Sequence, residues 1–589
     1  MLEEKVIFED FKSKFQLSEK NLDVIEKLQE LAVKYDLQAS DLHDHWLAFL
    51  MTKNHDPTTE PTVEMLLILQ REVLAKKSSA PPKSQIQKDP DPVFMTDPSG
   101  LEDIMSMYNV KTPNHVPRDK KKPHTPESAV GKRSLSANIS VIRAEMYSPK
   151  SATPPRIFKD RKNAGESVFT FGDISAATLS DSNNECLVEP FDPSLTLNGS
   201  FKFMFQKKFN QAETLNYQIQ EMSEKLQELH GFESLGHVSC PTQEVVTVAG
   251  RICCDNEGRA NAHTILLEGS RETSAGKCIP LDLSEIKDYS LFPGQIVAVD
   301  GVNLTGKRFL VKKIHEGVKM FLPSLIPKSP AQGSSLNVML AAGPFLTTDS
   351  LMFEPLTELL NICREEKPHF CILLGPFIDD EHEGIANLSG ETYKKMFDRL
   401  TQGIQNVAEQ LRCHMILVPS HRDIHSIATY PQPPFESENR SKFMHFVSNP
   451  SLLNINGILF GITSTDVIFH ISNSEVHSST VHTNRFKRII HHLFSQQSFY
   501  PLYPPPEEIL ISFDHFEYFQ LPLKPHILIV PSQFRYFVLD VDDCCCVNPG
   551  TLTKGESGGT YARMNITMQK QPAQNGSIIE NIAAQVIRI

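Results

Sequence analysis

The sequence predicts a multidomain chain of α+β and α/β class: an N-terminal helical bundle, a disordered linker, a small β-barrel and an α/β sandwich. Three observations carry this. Apolar residues recur at helical spacing in the first 76 positions and again near 215–229. Five short strands crowd into under 80 residues after position 244. From 331 onward, continuous apolar runs end at once in Gly or Pro.

Residues 1–76 read as a helical docking module. Phe8, Phe11 and Phe15 keep helical spacing, Ser18 can cap a helix carrying Leu22, Ile25 and Leu28, and Ser40 can cap another with Leu42, Trp46, Phe49 and Leu50. Pro61 suits the first turn of a third helix, whose Met65, Leu66, Leu69 and Val73 share one side. Such a bundle has an ordinary apolar core and carries no chemistry beyond docking.

Residues 77–195 differ. Twelve of the chain's 40 prolines lie between positions 77 and 160, with Ser, Thr, Lys and Asp filling much of the rest. Such a stretch cannot bury enough apolar surface to offset its ordering entropy, so a disordered regulatory tether is expected. Leu101, Ile104, Met105 and Tyr108 share a helical face within it, either a motif that folds on binding or a chance pattern. Thr112, Thr125, Ser148 and Thr153 each precede proline and are candidate phosphorylation sites. Thr153 also has Arg156 at the +3 position that cyclin-dependent kinases prefer. Lys132-Arg133-Ser134-Leu135 matches a basic-x-Leu cyclin-docking pattern, with Arg133 and Leu135 as candidate contacts. Lys120-Lys121-Lys122 and Lys132-Arg133 serve either nuclear import or simple solvated charge.

Residues 196–235 contain a helix expected to pack on the core, with Leu215, Ile219, Met222, Leu226 and Leu229 as its stripe. In 236–330 the period changes to strands at Val245–Val248, His263–Leu267, Ile279–Leu281, Gln295–Val299 and Phe309–Val311, separated by glycines. Five strands at that spacing suit an OB-type barrel. Their side chains are Val, Ile and Leu with one Phe, which favours a structural or protein-binding barrel over one that stacks bases.

Residues 331–589 alternate apolar strands with helices or loops. The strands expected are Val338–Ala342, Phe370–Leu374, Met415–Val418, Gly457–Phe460, Val467–Phe469 and Ile527–Val530. Several look like strands buried on both faces of an α/β sandwich. A two-metal phosphoesterase carries Asp, His and Asn at such strand ends, clamping cations about 3.5–4 Å apart. Its usual run is Asp-x-His, Gly-Asp-x-x-Asp, Gly-Asn-His-Asp/Glu and a late Gly-His-x-His. Here the first loop reads Ala342-Gly343-Pro344-Phe345. The second reads Gly375-Pro376-Phe377-Ile378-Asp379, with Pro376 in place of the first Asp. The third reads Pro419-Ser420-His421-Arg422-Asp423, with Ser420 in place of Asn. The late loop reads Pro531-Ser532-Gln533-Phe534, without histidine. Pro and Phe offer a cation no side-chain donor. Asp379, His421 and Asp423 survive as isolated polar residues, and His421 reads best as a hydrogen-bonded loop residue. The expectation is an inactive phosphoesterase domain with no catalytic residue, no metal and no cofactor.

Net charge is −13, which favours protein partners over a free-standing nucleic-acid binder. The N-terminal Met1-Leu2-Glu3-Glu4-Lys5 lacks the apolar core of a signal peptide, and no apolar run reaches membrane-spanning length, so a soluble intracellular chain without membrane contact is expected. Eleven cysteines form no Cys-x-x-Cys pair, and three are contiguous at Cys544–Cys546, which suits reduced thiols.

Several strings then carry a resemblance: Leu373-Leu374-Gly375-Pro376-Phe377, Val418-Pro419-Ser420, Tyr430-Pro431-Gln432-Pro433-Pro434-Phe435, Phe460–Asp466, Tyr500–Pro505, Val547-Asn548-Pro549-Gly550, and Tyr289–Gln295 in the barrel. Together they resemble the B-subunit family of eukaryotic DNA polymerase alpha, over about 200–589. The resemblance implies a nuclear, non-catalytic scaffold in the polymerase alpha–primase complex, supporting primer synthesis at the initiation of DNA replication. It implies that barrel and inactive domain together hold the zinc-bearing C-terminal domain of the catalytic subunit. Primase small and large subunits are then partners through the complex, replication-initiation factors meet the N-terminal module, and DNA contact is weak or indirect. An active phosphoesterase and a single-strand-binding barrel are the rival readings.

Overall fold

A computed structural model describes residues 158–173, 186–197, 201–255, 259–323, 335–386, 390–479, 484–567 and 577–589, with residues 24, 27, 28, 31, 46, 61, 65 and 66 of the N-terminal region. The chain divides into two compact units, 1–134 and 135–589. In the first, Leu28, Trp46 and Leu66 are buried as expected of a small apolar core, and so is Leu31, which the spacing did not single out. Pro61 is buried and Met65 half-buried, and the other residues named for that expected bundle lie outside the described residues. So do Thr112, Thr125, Ser148, Thr153, Arg133 and Leu135.

The second unit opens with β1 (Ser167–Phe171), β2 (Val188–Pro190) and helix α1 (Lys208–His230). Six strands follow: β3 (Thr242–Cys254), β4 (Ile265–Glu268), β5 (Cys278–Asp282), β6 (Tyr289–Leu291), β7 (Ile296–Asn303) and β8 (Phe309–Glu316). All but β6 close a five-stranded barrel in the order β3-β4-β5-β8-β7. Its filling comes from every second residue: Ile265 and Leu267, Ile279 and Leu281, Val297 and Val299, Phe309 and Val311 all meet inside. The alternate face of β3 and β7 carries small Ala249 and Ala298, and α1 lays Ile219, Met222 and Leu226 there.

The sandwich begins with β9 (Ser335–Ala342), α2 (Glu354–Glu366), β10 (Phe370–Leu374), α3 (Tyr393–Leu411), β11 (His414–Val418) and β12 (Met444–Phe446). It continues with β13 (Ser451–Ile455), β14 (Ile458–Ile462), α4 (Val467–Ser474), β15 (Val476–Ser478) and α5 (Arg485–Ser495). It closes with β16 (Ile527–Ile529), β17 (Phe537–Val541), β18 (Cys544–Asn548), β19 (Thr560–Thr567) and β20 (Ile582–Arg588). Among the described residues one sheet runs β1-β20-β19-β9-β10-β11-β12 and the other β17-β18-β16-β14-β13-β2. Pairing from β9 through β12 is parallel. Alternation then sorts the layers. Cys371 and Leu373 of β10 face Leu359 of α2 and Phe397 of α3, whereas Phe370, Ile372 and Leu374 face Phe460 and Ile462 of the second sheet. The far side of that sheet packs Leu528 and Cys546 against Ile468 of α4 and Ile489 of α5. A helix–sheet–sheet–helix stack results, which is why β10 is apolar at all five positions. Thr392 caps α3 by accepting from Lys395 N, and Phe397, Leu400, Ile404 and Ala408 form its inward stripe.

Three expectations need correction. Val467–Phe469 is not a strand but the start of α4, because Asp466 caps it by accepting from Phe469 N at 3.0 Å. A short apolar run fits either element, and here the cap decides. The linker assigned to 77–195 ends earlier than its composition suggests. Ser167-Val168-Phe169-Thr170-Phe171 pairs with β20 and Val188–Pro190 with β13, so alternating residues in a proline-rich neighbourhood complete both sheets. Leu229 is 48% exposed, since α1 leaves the barrel surface at its last turn.

Candidate functional site: strand-end loops and the barrel–sandwich junction

The loops after β9, β10 and β11 converge. A Cβ on Gly343 would sit 2.2 Å from the Pro376 carbonyl, and one on Gly375 2.3 Å from Asp423 Oδ2, so the two glycines allow the approach. Phe345 and Phe377 follow these strands and stack with centroids 4.9 Å apart. Phe377 also meets Phe397 and Phe435 edge-on. Both rings are fully buried, each stabilising the fold by about 1.5–3 kcal/mol relative to exposure. Aromatic packing thus fills the space beside Pro376.

Of the polar side chains in these loops, Asp423, Asp379 and Ser420 are engaged locally. Asp423 is buried and accepts from the backbone N–H groups of Phe377 (2.6 Å), Ile378 (3.0 Å) and Ser420 (2.9 Å). Burial pushes its carboxyl up to about 7, against the pull of those donors. Asp379 accepts from Arg422 through Nε (3.0 Å) and Nη2 (2.5 Å), a bidentate pair, while Arg422 also reaches Glu381 at 2.8 Å. Ser420 is buried, and its hydroxyl accepts from Arg422 N. His421 departs from expectation. Among the described residues its Nδ1 has no hydrogen-bond partner, and burial, with His470 and Arg422 nearby, lowers the imidazole to about 4. The ring is held neutral by its surroundings rather than by a loop hydrogen bond.

The late loop is similarly committed. Ser532 N donates to Asn548 Oδ1 at 3.0 Å and Gln533 N to Asp466 Oδ2 at 2.7 Å. Phe534 N donates to Ser532 Oγ, and its ring packs on Phe469 and Phe486. A pair of cations needs free carboxylate, amide or imidazole donors pointing into one space. Asp379 faces a guanidinium and Asp423 faces backbone donors, so these residues do not fit a metal pair. Among the described residues no group of three or more His, Cys, Asp or Glu side chains is placed to hold a metal ion.

The second cluster of polar contacts lies between barrel and sandwich. Strand β6 leaves the barrel and pairs antiparallel with β15, Ser290 opposite His477. Ser290 Oγ donates to Glu475 Oε1 at 2.5 Å and lies 2.7 Å from His492 Nε2. Arg488 donates to Glu475 through Nε (2.6 Å) and Nη2 (2.9 Å). Burial alone would raise the Glu475 carboxyl, yet Arg488, His492 and Ser290 hold it well below its ordinary value. Gln496, just after α5, accepts from Ile296 N (2.8 Å) and donates to Ile296 O (3.0 Å), so its amide pairs with β7 as a neighbouring strand would. Gly294 has φ +99°, and a Cβ there would lie 2.4 Å from Tyr503 N, at the point where Tyr503 N donates to Pro293 O. Sequence reasoning singled out none of Glu475, Arg488, His492 and Gln496. Their partners lie 13 to 202 positions away, and only the Tyr289–Gln295 string marked the place.

Comparison with known proteins adds to this geometry. Residues 338–539 match the family model for the B subunit of DNA polymerases alpha and epsilon. Residues 212–317 match the model for the OB domain of the DNA polymerase alpha B subunit, and residues 5–76 the model for its N-terminal region. The DNA polymerase alpha B subunit of Mus musculus is 38% identical over 587 residues, covering 96% of each chain. Its counterpart in Rattus norvegicus is 37% identical, again over 96% of each chain. The counterpart in Drosophila melanogaster is 28% identical over 96% of this chain and 97% of its own.

Proposed function

This chain belongs to the B-subunit family of DNA polymerase alpha, and we propose that its barrel and sandwich together seat the zinc-bearing C-terminal domain of the catalytic polymerase subunit. It is an accessory subunit in DNA replication and is not itself the enzyme. The observation that carries the proposal is the junction. Paired strands, the Ser290–Glu475 hydrogen bond and the Gln496 amide join two domains, and such a joint presents one continuous surface to a partner.

On this reading the sandwich is a phosphoesterase frame kept for its shape. The engagement of Asp379 and Asp423 supports that, as do Pro376, Ser420, Ser532 and Phe534 at ligand positions. Primase subunits are reached through the complex, the N-terminal module docks replication-initiation factors, and the site of work is the nucleus. Phosphorylation at Thr112, Thr125, Ser148 and Thr153, guided by Arg133 and Leu135, would regulate the tether by adding roughly −1.5 to −2 charges each. DNA contact is weak or indirect. Within the described barrel Phe292 and Phe309 are buried and Tyr289 is half-buried, so a base-stacking platform has little to stand on. The test is size-exclusion chromatography of the full-length chain with the catalytic subunit's C-terminal domain. Stable co-elution is expected, with an interface of upward of about 2,000 Å². Separate elution at micromolar concentration refutes the scaffold reading.

A further inference from the structure

At the entry to α1 the surface turns apolar and basic together. Phe201 to Phe209 reads Phe-Lys-Phe-Met-Phe-Gln-Lys-Lys-Phe, and no acidic residue stands between Asp192 and Glu213. Met204 and Phe205 are 76% and 77% exposed, and Phe209, on the first turn of α1, is 68% exposed. Phe203 and Leu510 are exposed as well. The segment is held in this posture. Gln206 Nε2 donates to Ile511 O at 3.2 Å and its Oε1 accepts from Phe513 N at 2.7 Å, while the Phe201 ring meets that of His515 at 4.4 Å. Residues 201–206 therefore run antiparallel beside 511–515, with Lys207 toward the Leu510 end. Met204 holds φ +66°, a left-handed conformation that is costly for a residue with a side chain. Large apolar side chains fixed outward by a clasped and strained backbone mark a surface made to be covered.

The charges identify the cover. Lys207 is the N-cap of α1 and gives the first turn no side-chain acceptor, and that turn holds Lys208 but no acidic residue. The positive end of a 23-residue helix thus coincides with two lysines, an arrangement that favours an anion from outside. At the opposite end, near Phe201, exposed Asp514 and Glu517 outnumber Lys202. A nucleic-acid strand stacked along the aromatic residues would bring phosphates to both carboxylates, whereas a peptide can place its acids at the lysine end alone. We propose that this face docks an amphipathic segment of a protein partner that carries Glu or Asp beside Leu, Met or Phe. Its apolar side chains cover Met204, Phe205 and Phe209, and its carboxylates meet Lys207, Lys208 and the open first turn of α1.

The test is fluorescence anisotropy of the full-length protein with short labelled peptides in which Leu and Phe recur at helical spacing. An acidic version with Glu between them should bind saturably, with Kd about 10 μM. A version with Lys for Glu, and one with Ser for Leu and Phe, should each bind about tenfold more weakly or worse. Phe205→Ser exchanges an exposed side chain, so the melting temperature stays unchanged, and it weakens the acidic peptide about tenfold. Lys207→Glu with Lys208→Glu gives the helix start the acids it lacks, so the melting temperature holds or rises. Acidic-peptide binding nevertheless falls by about tenfold or more, and the Lys peptide gains. No saturable binding of the acidic peptide up to about 1 mM overturns the proposal. So does acidic-peptide affinity unchanged in Phe205→Ser, and so does equal affinity for the Lys version. A labelled oligothymidylate bound more tightly than the acidic peptide, and lost in the same variants, overturns it in favour of a nucleic-acid strand.

Discussion

The strand-end loops and the barrel–sandwich junction are built from the same materials and put them to opposite uses. Both hold a buried carboxylate with a nearby arginine and a histidine. In the loops, Asp423 and Asp379 answer to groups a few residues to 46 residues away in the same sheet, and their effect is to fix three turns. At the junction, Glu475 answers to Ser290 of the barrel, 185 residues distant, as well as to Arg488 of its own domain. The lesson is that a polar cluster's worth depends on what it connects. Buried loop carboxylates can stabilise one domain, while a carboxylate between domains determines whether the two move as one.

The largest expected effect breaks the junction. Glu475→Ala removes the carboxylate shared by Arg488, Ser290 and His492. Loss of one partner from a buried pair costs about 3–5 kcal/mol. Differential scanning calorimetry should then resolve barrel and sandwich into separate transitions, and a single unshifted transition would contradict a rigid joint. Next comes the loop side. Asp423→Ala strips three backbone donors of their acceptor, for a loss of about 2–4 kcal/mol in chemical denaturation. Hydrogen exchange in the barrel should stay unchanged. Slowed or hastened barrel exchange would mean that the loops communicate across the joint after all.

The smallest effect sharpens the contrast by pH. His425 lies between Phe397 (4.1 Å) and Phe435 (5.1 Å), and neither of its ring nitrogens has a hydrogen-bond partner among the described residues. Burial lowers it from 6.5 to about 4. Between those values the unfolded chain binds a proton that the folded chain refuses. The stability contributed by the neutral ring is therefore complete above pH 6.5 and lost as pH falls toward 4. His425→Phe should remove that loss, on the order of 1–2 kcal/mol, and leave stability at pH 7 within about 1 kcal/mol. Melting curves at pH 5 and pH 7 check it, and an unaltered pH slope would show that the ring is not desolvated.

The strands were legible where one period dominated. Phe370–Leu374 is apolar throughout because both its faces are covered, and the barrel's five strands stand between glycines. Val467–Phe469 was illegible as a helix because three apolar residues carry no period, and the informative residue was the cap before them, Asp466. Ser167–Phe171 alternates, but its neighbours' composition outweighed five residues. That Pro376 and Phe534 offer a cation no side-chain donor is plain from the sequence itself. The junction is not legible there. Nothing local to Gln496 indicates that its amide meets Ile296 200 positions earlier, because side-chain hydrogen bonds between distant segments leave no periodic trace.

Strand β20 has neighbours on both sides, β19 along one edge and β1 along the other. Ser167 therefore faces Ile587, and Arg161 Nε donates to the Ile589 carbonyl. This seam imposes an order of assembly. The segment around 167 can dock only after some 400 later residues have folded far enough to lay β20 on β19. Until then Val168 and Phe169 wait as an unpaired apolar ribbon beside an open edge. Such a late closing step exposes the chain to wrong pairings for as long as it lasts, so a holding chaperone or rapid assembly with a partner would matter most at this stage.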